Sequence, residues 1–169
     1  MVLRPELLPL AAYVALMVVA AITDFRRLAI PNRVTAALCV LWPLEFGATR
    51  EATIVAAMES VACAAFVLAG GAILFARGVV GGGDVKLFAT ASLWVGPAAV
   101  PKLLLLTALL GGALAVAFLT PLGTWLSSRR RPIESPIHNR VIASGRVPLP
   151  YGAAIASAAL VVMIPPHLA

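Results

Sequence analysis

Two aspartates hold the chemistry this chain could perform. Asp84 stands between three glycines, Gly81-Gly82-Gly83, and the apolar run that opens with Val85-Lys86. Asp24 lies just past the end of the first apolar run. Two carboxylates in one site cannot both ionise easily, so one keeps its proton and the pair titrates as a unit. Such a pair can bind a water, deprotonate it with one carboxylate and protonate a leaving amine through the other, which hydrolyses a peptide bond. Glycine at 81 and 83 leaves room for backbone to approach a substrate strand. Lys86 can tune the local charge, but an i, i+2 spacing on a helix points it away from Asp84.

Each aspartate also has a plainer reading. Asp84 at the head of a helix would serve as its N-cap, with the glycines as a turn, and capping does not exclude catalysis. Asp24, close to Arg26 and Arg27, would be a solvated interfacial charge. A pair of such residues on one face, in a chain with only 7 acids, favours a shared site.

What must position them is a membrane protein. Of the 169 residues 62% are hydrophobic and 12% charged, about half the charged share of a soluble domain. Mean hydropathy is +1.01. The length suits one helical bundle, a single integral-membrane domain over residues 1–169. The net charge of +6 would suggest nucleic acid in a soluble protein. Here the basic residues lie between apolar runs and read as an orientation signal, with no nucleic-acid partner. Cys39 and Cys63 both fall in apolar runs and form no C-x-x-C pair, so they read as small buried hydrophobes.

Six apolar runs are legible. Leu7 to Thr23 comes first. Its positive charges, Arg26, Arg27 and Arg33, follow it, which fits a retained span better than a signal peptide. A polar connection ends at Pro31-Asn32, where Pro31 can open the next helix. Val34 to Ala48 is a short second run, and Ala52 to Ala76 a third. After the glycine-rich connection Arg77 to Asp84, the fourth run spans Val85 to Val100, with Gly96-Pro97 near its far end. Leu103 to Leu126 is the fifth, with Gly111-Gly112 as a close-packing position. The sixth opens at Pro150-Tyr151-Gly152 and runs to about Ile164. The expected fold is therefore all-α, a polytopic bundle of about six transmembrane helices.

Alternate connections then share a face. One face holds Arg26, Arg27, Arg33, Arg77, Lys86, Arg129, Arg130, Arg131, Arg140 and Arg146. The other holds only Arg4, Arg50 and Lys102 of the 13 basic residues. By the positive-inside rule the richer face is cytoplasmic, both termini lie outside, and Asp24 and Asp84 both face the cytoplasm.

On these residues the chain resembles a known family. Asp24 followed by Ile30-Pro31-Asn32, then Gly81-Gly82-Gly83-Asp84-Val85-Lys86, then Pro150-Tyr151-Gly152, is similar to the type IV prepilin peptidases, intramembrane aspartyl proteases with a G-x-G-D motif. The resemblance covers all six spans. Its specificity comes from joining G-x-G-D to D-x5-I-P-N in the right order and on the right face. The Tyr151-Gly-Ala-Ala-Ile-Ala segment and the small size look most like the subgroup serving tight-adherence (Flp-type) pili. The resemblance implies Asp24 and Asp84 as the catalytic pair. It implies Gly81, Gly83, Lys86, Pro31, Asn32, Tyr151 and Gly152 as motif or substrate-binding positions. It also implies prepilin or pseudopilin substrates, with a short basic leader ahead of a hydrophobic helix and the cut at their junction. The bacterial inner membrane would be the location, and neither metal nor organic cofactor is needed. Larger relatives carry an N-terminal domain with paired C-x-x-C motifs that methylates the new N-terminus. This chain lacks those cysteines, so peptidase activity without methylation is expected.

Other features have plainer expectations. Glu59 is expected to face the bundle interior or sit protonated, since charge in hydrocarbon is costly. Glu45 is expected at the outer interface, and Trp42, Trp94 and Trp125 in interfacial belts. The basic 127–148 loop is expected to meet anionic lipid head groups, and His138 within it lacks partners for a metal site. Three rival functions remain: a non-enzymatic scaffold of a pilus or secretion system, a small transporter built on Glu59, and a G-x-G-D peptidase with other substrates.

Overall fold

The structure, a computed structural model, describes residues 7–48, 53–120 and 149–168. Among these residues there are six α-helices and no strand: α1 (Leu7–Arg27), α2 (Asn32–Ala48), α3 (Ile54–Ala76), α4 (Gly82–Val95), α5 (Val100–Leu119) and α6 (Tyr151–Leu168). They follow the six apolar runs one for one. Three stretches are long and apolar enough to cross a membrane: Leu8–Arg27, Ile54–Ala76 and Pro97–Leu119. The basic 127–148 loop with His138, and also Arg4, Arg50 and Trp125, lie outside the described residues.

The chain's small residues decide how the helices pack. α6 touches α1, α4 and α5. It does so with Ala154, Ala156, Ala158 and Ala159 buried to 1% exposure or less, because a helix of alanines lets several neighbours approach its backbone. Around it Tyr13, Met17, Leu38, Leu87, Trp94 and Leu103 complete one apolar cluster. α4 is the other central element, packed on α2, α3 and α6. It is only 14 residues long, about 21 Å. It starts at Gly82 and stops at Val95, where the sequence suggested Val85 to Val100. Gly96 takes φ 73°, a conformation favoured by glycine, and Pro97 then opens a single 3-10 turn to Ala99.

α3 lies differently. Only Ser60 of its residues is buried, while Ile54, Met58, Phe66 and Ile73 are exposed. So bare an apolar helix belongs in hydrocarbon. Thr53 caps its N-terminus, accepting the Ala56 N–H at 3.2 Å. Its C-terminus closes with Gly78 at φ 69°, where Gly78 N donates to Phe75 O and Val79 N to Leu74 O. That is the paired 5→2 and 6→1 pattern of a glycine-terminated helix.

Expectations about depth are corrected at Cys39, which is exposed, at Cys63, which is only half-buried, and at three larger residues. Trp94 is 6% exposed; it stacks on Tyr13 at 4.5 Å and donates to the Leu38 carbonyl at 3.0 Å, so it is core and not belt. Glu45 is buried at 5% exposure. Glu59 is exposed on α3, near that helix's N-terminal end, where a carboxylate can reach the interface.

Candidate active site

Asp24 is set in the penultimate turn of α1 and is 4% exposed. Just beyond it the helix is terminated by Leu28 at φ 51°, with Leu28 N still bonded to Asp24 O at 2.8 Å. A left-handed leucine is a strained position. The sharp turn it makes sends Ile30 back against the bundle. Pro31 follows and accepts the Val34 N–H at 3.0 Å, which places it at the cap of α2 with Asn32 as the first helical residue.

The head of α6 meets Asp24. Ala153, third in that helix, has an N–H whose one backbone acceptor is the Pro150 carbonyl at 3.2 Å, in the turn that opens the helix. It donates to Asp24 Oδ2 at 3.0 Å. A side chain from α1 thus does for α6 what an N-cap residue normally does. Gly152 makes the approach possible: a Cβ there would lie 3.0 Å from Asp24 Cγ and Oδ2, and 2.6 Å from Ile30 Cδ1.

Asp84 is held by its own helix. Gly81 is the N-cap of α4, and it has no side chain with which to cap. Asp84, three residues on, folds back so that its carboxylate accepts the Gly81 backbone N–H. This is the returning half of a capping box, so Asp84 does not occupy the N-cap position suggested by the plainer reading. A Cβ on Gly81 would lie 2.7 Å from Asp84 Oδ2, so glycine is what admits this fold-back.

The two carboxylates meet at one end of the bundle. Asp84 precedes the apolar run that starts at Val85, and its carboxyl is pushed up to about 7. Burial is the main cause and the Asp24 charge the second, while the Gly81 N–H pulls the other way. Ile30 spans the gap, with its Cδ1 against Gly152 and its Cβ 3.4 Å from the Cβ position of Gly83. Ile30 belongs to the D-x5-I-P-N motif, but sequence reading assigned it no place among the site residues. Its signal was its place in that motif, as a β-branched apolar residue just before Pro31.

The remaining motif residues fall nearby in two groups. Lys86 Nζ donates to Asn32 Oδ1 at 3.2 Å, tying the G-x-G-D helix to the start of α2. Tyr151 turns outward from the aspartates: its ring lies on Gly111 of α5, where a Cβ would be 2.6 Å from Cε2. Two openings flank the site. A small one of about 310 Å³ is lined by Ala21, Ile22, Phe25, Arg26 and Ala153, beside Asp24. A larger groove of about 440 Å³ starts at Asn32 and Lys86 and runs between α2 and α3 over α4. Among the described residues no three His, Cys, Asp or Glu side chains gather as a metal site requires.

Neither the curated proteins nor the solved structures compared with the chain match it. A sequence model of the type IV leader peptidase family does match, over residues 11–116. That stretch holds both aspartates, the Ile30-Pro31-Asn32 segment and the triple glycine, and it is well over half of the 169 residues. The chain therefore belongs to the type IV leader peptidase family.

Proposed function

We propose that this peptidase is an aspartyl endopeptidase that removes the leader from type IV prepilins at the cytoplasmic face of the bacterial inner membrane. The observation that carries the reading is the unlike pair of carboxylates. The Asp84 carboxyl is pushed up to about 7, by burial first and by the Asp24 carboxylate second. One acid and one base are what amide hydrolysis needs, and a pair split in this way supplies both near neutral pH.

Asp24 takes a proton from water as the water oxygen adds to the scissile carbonyl carbon. Asp84 gives its proton to the leaving nitrogen as the C–N bond breaks. The products are a carboxyl-ended leader and a new amino terminus, and the proton on Asp24 passes back to the pair. Because Ile30 and Gly152 cover Asp24, peptide and water gain access when the 28–31 connection moves aside. A Flp-type substrate is favoured by the Tyr151-Gly152-Ala153 opening of α6, and the cytoplasmic side by the charge asymmetry of the connections.

The test is co-expression with a Flp-type prepilin, reading leader loss on a gel and the new N-terminus by mass spectrometry. Wild type cuts, while Asp24→Asn and Asp84→Asn, each present in the membrane at normal levels, lose at least 100-fold in rate. Cleavage at the wild-type rate by either variant rules out the aspartyl mechanism. A wild type that cuts no prepilin moves the scaffold reading ahead.

A further inference from the structure

The larger groove is not explained by the catalytic pair. α2 and α3 both lean on α4 and hardly on each other, so a trough opens between them with α4 as its floor. Ala36 and Cys39 line it from α2, Ala65 and Leu68 from α3, and Ala89 and Leu93 from α4. On each wall the lining spans about two helical turns, ~10 Å. The trough begins at Asn32 and Lys86, the bonded pair that joins the two motifs, with Lys86 one turn or less from Asp84. Its other end points along α3 toward Val61, away from the catalytic end of the bundle.

We infer that this groove holds the first two turns of the substrate's apolar helix, immediately beyond the bond that is cut. The inference rests on the proposed leader-peptidase reaction and adds where the uncleaved part of the substrate lies. The first argument is continuity. A peptide whose scissile bond is at Asp84 and whose next segment is an apolar helix needs a path from that carboxylate into hydrocarbon. The trough starts at Lys86, two residues beyond Asp84 on α4, and is open along its length. The second argument is its lining. Alanines at 36, 65 and 89 let another helix approach the backbones closely, which is how helices associate in lipid, where apolar side chains have no preference for one another over acyl chains. The third is size. About 440 Å³ takes the facing side chains of a short helical segment seated from the membrane, not a whole helix buried on all sides.

The chain has its own probe in the groove. Cys39 is exposed there, while Cys63 on α3 does not line it. A disulfide forms only when the two Cα atoms come within about 7 Å. In a Cys63→Ala, Asp84→Asn enzyme, which retains uncut substrate, Cys39 is to be oxidised against single cysteines placed one by one along the first ten substrate residues beyond the cleaved bond. Crosslinks are expected at positions three to four residues apart, as one face of a docked helix. In parallel, Ala36→Trp and Ala65→Trp, both at exposed positions, fill the trough without disturbing the core. Each is expected to raise KM for full-length prepilin at least tenfold. Ala62→Trp, exposed on α3 outside the groove, leaves KM unchanged.

If wild type cuts prepilin but Cys39 captures no position and both tryptophan variants keep the wild-type KM, lipid fills the groove and the docking inference is wrong, although the peptidase reading stands. If wild type cuts nothing, the peptidase reading fails and the docking inference fails with it.

Discussion

At the residue scale the site is two aspartates held by two different devices. Asp24 is fixed by the head of α6 through Ala153 N–H, and Asp84 by its own N-cap through Gly81 N–H. The raised carboxyl of Asp84 sets a pH dependence. It is the acid, so cleavage falls as pH rises past about 7, and a rate profile from pH 5 to 9 shows this alkaline limb. Stability follows the same group. Its folded pKa is raised from 3.8 to about 7, so its contribution is fully present below the unfolded value and lost as pH rises through the folded one. At pH 8 the buried charge is a cost. Asp84→Asn, though inactive, should then melt higher than wild type, by ~1–3 kcal/mol in stability, with the gap closing toward pH 4. Thermal melts in detergent at the two pH values check it. Gly152→Ala forces a methyl to 2.6 Å from Ile30 Cδ1 and 3.0 Å from Asp24. It should lose activity more than tenfold and ~1–3 kcal/mol of stability. Adding Ile30→Val, which removes that Cδ1, should recover part of both.

At the element scale, glycines that look equivalent along the helices have unlike neighbours. A Cβ on Gly71 would meet Val85 Cγ1 at 2.5 Å, whereas one on Gly70 meets nothing within 4 Å. A Cβ on Gly111 would lie 2.6–2.9 Å from Tyr151 Cε2, Cζ and OH, whereas one on Gly112 meets nothing within 4 Å. Gly71→Ala and Gly111→Ala should each destabilise by ~1–3 kcal/mol, the first rescued by Val85→Ala. Gly70→Ala and Gly112→Ala should be neutral or stabilise by up to ~1 kcal/mol, through helix propensity alone. Unfolding of the four variants side by side decides it. The doublets themselves were readable in the sequence as packing signals. Which member of each faces a neighbour was not, because that depends on how α3 is rotated against α4 and α5 against α6.

At the scale of the whole molecule, the bundle brings the C-terminal end of α1 and the N-terminal ends of α4 and α6 to one pole, with the groove running away from it. If that pole is cytoplasmic, Arg77→Cys should resist a membrane-impermeant maleimide in intact cells and Lys102→Cys should react, each in a Cys39→Ala, Cys63→Ala background. The reverse pattern would place the catalytic pair outside and exclude a leader on the cytoplasmic side as substrate. α3, buried only at Ser60, packs on α4 and hardly on α2, and that missing contact is what leaves the trough open between α3 and α2.

Six runs of apolar residues and their order were legible in the sequence, because a backbone in hydrocarbon must bond to itself as helix. The family followed from motif spacing for the same reason: the two acids and their glycines are local patterns. The fold alone decided that Asp24 caps α6, since Ala153 is 129 residues away, and that Ile30 sits between the carboxylates. It alone decided that Trp94 and Glu45 are inside while Glu59 is outside. Hydropathy reports departure from water, and a helix face against protein and a helix face against lipid are equally apolar. Only packing separates the two.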